Sequence, residues 1–518
     1  MVVKMSDGTP MKNASVWLDG EDREHWIAAT TGPDGNFALA NIPSGKYKLR
    51  VSRNGYVTAE YGQQKPSDPG ATFSLSPGQE KKSLLFRLIP AAVIAGRVFG
   101  EDGEPMQRAT VTALKEVYYE GRRTLATRAM VNTDDLGQFR LFGLAPGRYF
   151  VSAADAQWHV VGDREFLVGA EQEPERGYIK TYYPGTSDAA KALAISVREG
   201  EEVPGADFIL KAVAVFRVRG RVVNQTAHNK GANLVNLNLL SRARGLELHF
   251  NKGFTVSRAD GTFEISGVIP GSYTLSAIWS DQEKTYSTRE KLEVRESDLE
   301  GVTLVLSAGA NISGQIVWDG KPSVDGELSI RLQPAENSMY FRGMISAPFE
   351  KGQEFILKEI MDGEYRVSVD GLGKDCYIKD TVYGDAHAAD AMISVGKGGN
   401  AHLELIVSSR GARVQGAVAD KDGLPATGVW VVAVPDEARR GIPQLFKAQT
   451  TDQYGKFDLH GLAPGSYQVF SWTGIENGEW QDEDFLKEFE KKGEAVEVRD
   501  EDTKTLNLTV VQSKSRPE

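Results

Sequence analysis

The side chains with most chemistry to offer are seven histidines, one cysteine, and a scatter of acidic and aromatic residues. A zinc peptidase centre needs His and Glu at a short fixed spacing, so that two ligands and the general base share one helix face. None of His25, His159, His228, His249, His387, His402 and His460 opens an H-x-x-E or H-E-x-x-H. His402-Leu403-Glu404 comes nearest, and its alternation suits a surface pair on a strand. Cys376 stands alone, which excludes an intramolecular disulfide and a thiolate zinc site. No G-x-S-x-G elbow, Walker loop or G-x-G-x-x-G occurs. Asp34, Asp134, Asp135, Asp260 and Asp452 recur at turns, without the alternating oxygen ligands that a calcium loop requires. The expectation is therefore no catalytic residue, no metal and no cofactor.

Aromatic residues outside the core pattern are the candidates for ligand binding: Trp158, Tyr182, Tyr183, Trp279, Trp472 and Trp480. A flat exposed ring stacks on the apolar face of a sugar; the same ring also packs an insertion onto its own module. The insertion from Asp482 to Gly493 reads as a short amphipathic helix, acidic first and basic last, with Phe485, Leu486 and Phe489 on one face.

These residues have to be positioned by a chain of 518 residues, too long for one hydrophobic core. Glycine at 54 and proline at 21, with 41% hydrophobic residues in regular alternation, favour many short strands joined by tight turns. A formal net charge of −11, from 60 basic and 71 acidic residues, argues against nucleic acid, and the Arg122–Arg123 cluster is too small to reverse it. No stretch approaches the roughly 20 apolar residues of a membrane span.

One pattern recurs five times. Gly-x-Phe is followed by an aliphatic residue and then by Gly-x-Tyr, with the Tyr ten positions after the Phe. The pairs are Phe37 and Tyr47, Phe139 and Tyr149, Phe263 and Tyr273, Phe355 and Tyr365, and Phe457 and Tyr467, with Gln353 in place of the turn glycine in the fourth. A turn with Asp and Gly precedes the Phe strand, as in Asp34-Gly35 and Asp260-Gly261, and Pro-Gly (Pro146-Gly147, Pro270-Gly271, Pro464-Gly465) is expected to reverse the chain into an antiparallel Tyr strand. A lead-in strand (Gly96-Arg97-Val98, Gly416-Ala417-Val418) opens each copy, and an alternating strand such as Val302 to Leu306 closes it. The fold class expected is all-β, a tandem array of five β-sandwich modules at 1–89, 90–212, 213–308, 309–409 and 410–518. Short connections such as Ser307-Ala308-Gly309 point to a semi-rigid rod or a gently curved chain of modules. Matching Gly8-Thr9-Pro10 to Gly103-Glu104-Pro105 sets Met1 where Gly96 stands, so an export signal is expected upstream of Met1.

The pattern G-x-V, G-x-P, A-x-V, D-G-x-F-x-[LI] and P-G-x-Y-x-[LV] resembles the carboxypeptidase regulatory-like domain. That module is transthyretin-like (prealbumin-like), close to the collagen-adhesin B-type domains and to the carbohydrate-binding-like fold. Stretches such as Tyr182-Tyr183-Pro184-Gly185 are similar to multi-module secreted proteins of soil bacteria. The resemblance implies immunoglobulin-like or prealbumin-like sandwiches in an extracellular, cell-surface or periplasmic protein without catalysis. Its expected partner is a polysaccharide or a surface protein; the alternative is a stalk with no ligand. Collagen-adhesin modules often cross-link a first-strand Lys to a last-strand Asn. Here Lys4 faces a closing strand without Asn, and Asn507 a first strand without Lys, so no such bond is expected.

Overall fold

The computed structural model describes residues 1–20, 26–63, 65–66, 68–119, 121–155, 176–224, 235–242, 251–256, 260–280, 284–335, 345–350, 352–388 and 390–513. Among these the chain is almost entirely short strands, with the α-helix Glu483–Lys487 and a few 3₁₀ turns. Buried apolar side chains gather in clusters that follow one another along the chain: Val2 to Leu88, Ala92 to Leu210, Val218 to Leu306, Ala310 to Val407, and Ala412 to Leu508. Each lies inside one span of the repeat.

The first strand of each span lies parallel to its last. Val2–Lys4 pairs Phe86–Leu88, Phe216–Asn224 pairs Leu299–Ala308, Ala310–Asp319 pairs Asn400–Ser408, and Ala412–Ala419 pairs Thr503–Thr509. On its other edge the first strand meets the Phe strand antiparallel, setting Phe139 opposite Gly96, Phe263 opposite Gly220, Phe355 opposite Gly314 and Phe457 opposite Gly416. Those glycines leave room for the ring. A methyl on Gly314 would lie 2.1 Å from the Leu403 carbonyl oxygen and 2.5 Å from the Phe355 ring. In the first span, residues 36–42 form no strand, and Phe37 is only half-buried against Phe86.

The Phe and Tyr strands are not hairpin partners, which corrects the sequence expectation. Lys456–Leu462 belongs to the sheet of Ala412–Ala419, whereas Gly465–Thr473 pairs Trp430–Pro435 and Glu494–Val498 in the other sheet. In the second, fourth and fifth spans the intervening turn carries the chain between sheets; in the third both strands lie in one seven-stranded sheet, four strands apart. The repeat tyrosine holds that corner, because its hydroxyl donates to the carbonyl four residues upstream in every copy. The contacts are Tyr47 to Pro43 at 2.7 Å, Tyr149 to Ala145 at 2.8 Å, Tyr273 to Ile269 at 2.9 Å, Tyr365 to Met361 at 2.9 Å and Tyr467 to Ala463 at 3.0 Å. Phe and Tyr thus enter one core from strands that are not neighbours, in opposite sheets in the second, fourth and fifth spans.

A second clamp is a buried threonine just before the turn. Thr133 donates to the Met106 carbonyl at 2.5 Å and accepts the Ala109 N–H at 2.8 Å; Thr31 and Thr451 make the same pair of bonds. In the fourth copy Gly352, one place before Gln353, takes the positive φ of 82°.

Two outcomes are expected. Gly314→Ala forces backbone and ring apart and lowers stability by about 1–3 kcal/mol, measured by urea denaturation. Burial raises the Tyr149 and Tyr273 hydroxyls to about 12. The folded state therefore favours the neutral phenol, so its contribution is complete below about pH 10 and is lost as pH rises toward about 12. Thermal melts across that window should show the fall, and Tyr149→Phe should reduce it.

Candidate functional site

The candidate aromatics are employed in packing. Trp472, on Gly465–Thr473, is fully buried and stacks on Phe470 at 4.4 Å, with Phe485 and Phe489 edge-on at 5.4 and 5.8 Å. Its indole N–H has no hydrogen-bond partner. Trp480, 5% exposed, lies 4.8 Å from Trp430. These rings form a second apolar layer on the outer sheet face, closed by the predicted helix, whose N-cap Asp482 accepts from the N–H groups of Asp484 and Phe485. Tyr182 is buried with Leu114, Leu125 and Ala189, and Tyr183 stands edge-on to Phe208 at 6.4 Å. Trp279 is half-buried, 5.4 Å from Tyr286. Of the two roles open to these rings, the five described take packing, with Tyr183 and Trp279 half-buried; Trp158 lies outside the described residues. Insertions that cover an outer sheet face need large rings, so the same residue types signal packing.

The open indole is one that the sequence reasoning passed over. Trp26 is 70% exposed on Trp26–Thr30, opposite Asp19, and Asp19 pairs Arg50 at 2.9 Å. Period-two alternation with inward Ile27 and Ala29 was the available signal.

The turn aspartates cap backbone. Asp134 accepts the N–H groups of Leu136 and Gln138, Asp452 those of Tyr454 and Lys456, and Asp260 that of Thr262. The Thr262 hydroxyl and N–H hold the Asp260 carboxyl below the usual carboxylate range.

Contacts between distant parts of the chain correct the expected rod. The fifth span returns to the first, where Thr450 donates to the Gly70 carbonyl at 3.4 Å and Lys81 donates to Gln453. Asp68 accepts the Gly474 N–H, and burial outweighs that bond to push its carboxyl up. The fifth also meets the second. Lys115 and Glu476 pair at 2.9 Å with side chains only 15% and 17% exposed, and a methyl on Gly121 would lie 2.7 Å from the Gln481 carbonyl oxygen. The insertion of residues 474–493 supplies Gly474, Glu476 and Gln481 to these contacts. The accessible surface of 28104 Å² still exceeds the roughly 18,600 Å² of a compact monomer of this mass, so the sandwiches touch without merging.

Glu476→Ala leaves the Lys115 ammonium buried without its carboxylate. The expected loss is about 1–3 kcal/mol by denaturation, with an increased maximum dimension in small-angle scattering.

Among solved structures, the chain is similar to the Bacillus anthracis TIE protein, at 14% identity over 77% of this chain and 69% of that one, with a TM-score of 0.16. A Streptococcal ancillary pilin matches at 11% identity over 58% of this chain and 93% of its own, TM-score 0.20. BcpA, the major pilin subunit of Bacillus cereus, matches at 11% identity over 82% and 99%, TM-score 0.15. No protein of curated function matches the chain. Two segments match known families: residues 1–86 the carboxypeptidase regulatory-like domain, and residues 214–300 the second β-sandwich domain of the NOMO1-like BOS complex subunit.

Proposed function

We propose that the chain is a non-catalytic structural protein of the cell surface or extracellular space, a scaffold of five sandwich modules bounded at 1–89, 90–212, 213–308, 309–409 and 410–518. The observation that supports this most is where the chemistry-bearing side chains go. Trp472, Trp480 and Tyr182 are buried in apolar layers, and Lys115, Glu476 and Asp68 sit between distant spans. A scaffold needs such residues to set its shape; a binding site would leave several of them open. The likeness of residues 1–86 to a regulatory-like domain agrees, since such modules accompany an enzyme without doing its chemistry.

A second reading is polysaccharide binding, and the exposed Trp26 beside the Asp19–Arg50 pair favours it. An open indole offers a stacking surface, and an acid with a guanidinium offers an acceptor and donors for sugar hydroxyls. A glycan array probed with wild type and Trp26→Ala separates the two. The scaffold reading expects no retention by either protein. Retention of wild type that Trp26→Ala abolishes would move the function to carbohydrate binding.

A further inference from the structure

The contact between the fourth and fifth spans is built on an imidazole held by two carboxylates. His460, on Lys456–Leu462, is 15% exposed. Its Nδ1 lies 2.7 Å from Asp375 of the fourth span, and its Nε2 lies 3.0 Å from Asp458 of its own strand. Asp458 also accepts both arms of the Arg413 fork, at 2.6 and 2.8 Å. Neutral imidazole has one N–H and one lone pair, so it can satisfy one of these acids and must turn its lone pair on the other. Only the imidazolium donates to both.

We infer that this junction is a proton-operated clamp, in which protonated His460 ties Asp375 of the fourth sandwich to Asp458 of the fifth and loss of the proton loosens the tie. Burial pushes the Asp458 carboxyl up, but Arg413 and His460 outweigh it and hold the group below its ordinary range. Asp375 is half exposed. Clamping is thus stronger in mildly acidic than in mildly alkaline solution, because only the protonated ring donates to both acids.

The other charged groups at the junction have other roles. Tyr377 donates to Asp500 at 3.1 Å, and burial raises its hydroxyl. Arg410 bridges Asp319 at 3.0 Å and Asp500 at 3.2 Å, and Lys379 reaches Asp319 at 2.8 Å. The Cys376 thiol is raised by burial, so it stays neutral in mildly acidic and mildly alkaline solution alike. Lys374 contributes its carbonyl against Gly461. Lys447 acts in the opposite sense: burial lowers its ammonium, so any contribution it makes is lost as pH falls. Beneath them the small apolar contact of Tyr377, Leu445 and Ala463 is indifferent to pH. Among the described residues, His460 is therefore the group whose protonation strengthens the junction.

Hydrogen exchange of the intact chain at pH 5.5 and 8.0, corrected for intrinsic rates, tests this at the amides of Gly411 and Cys376, which donate to Asp375 and Gly373. The expected result is protection on the order of five- to tenfold greater at pH 5.5 in wild type. His460→Gln and Asp375→Asn should each abolish the difference, while Lys447→Met retains it. Equal protection at both pH values in wild type, or an unchanged difference in His460→Gln, overturns the clamp. Asp375→Asn, at a half-exposed turn, keeps the test decisive if the His460 variant folds poorly.

Discussion

Each sandwich depends on the corner that leads into its Tyr strand, and that corner is held by a tyrosine hydroxyl bonded to the carbonyl four residues upstream. The bond is short-range in sequence but long-range in effect. It holds the chain where the Tyr strand departs, so Tyr149, Tyr273, Tyr365 and Tyr467 enter the same core as the Phe ten residues before them. That Phe needs a glycine opposite, and the glycine is pressed by the carbonyl of the closing strand, as at Gly220 under Val302 and Gly416 under Leu506. In the second to fifth spans one hydroxyl, one ring and one glycine therefore tie the corner to the first and last strands, while the first span keeps the tyrosine bond without the glycine.

This logic explains what could be read beforehand. The Phe-to-Tyr spacing and the lead-in glycines were legible because they are local, repeated and chemically narrow. The closing strands were legible by alternation. The sheet change was not, because a Pro-Gly turn between two alternating segments is also what a hairpin looks like. Sequence period reports which face a residue points to, and it does not report which sheet owns the strand. The threonine clamps were missed for a related reason. Thr31, Thr133 and Thr451 look like ordinary turn residues, and only their burial reveals that each bonds two backbone groups across a loop.

The candidate site was less legible than the fold. An indole in an insertion carries the same letters whether it faces solvent or the back of its own sheet. Trp472 and Trp480 fell on the packed side because their insertion also holds Phe485, Leu486 and Phe489, a face too apolar to leave in water. Trp26 stands open because nothing apolar of that size follows it on Trp26–Thr30. The informative quantity was the apolar company of each aromatic residue.

The return of the fifth span onto the first and second uses the insertion that carries this apolar face. A bare sandwich presents polar outer faces and would be content in a row. An extra aromatic layer covers one face of the fifth span, and its polar rim, with Glu476 and Gln481, lies against Lys115 and Gly121 of the second. Those contacts are polar or backbone-to-backbone, with little apolar area, so they are weaker than the cores they join. A chain closed by weak contacts between strong units changes shape before it unfolds. The angle between the fourth and fifth spans then governs whether the closing contacts meet. Charged groups suit that position, because their strength answers to solution conditions while the tyrosine corners keep each sandwich intact.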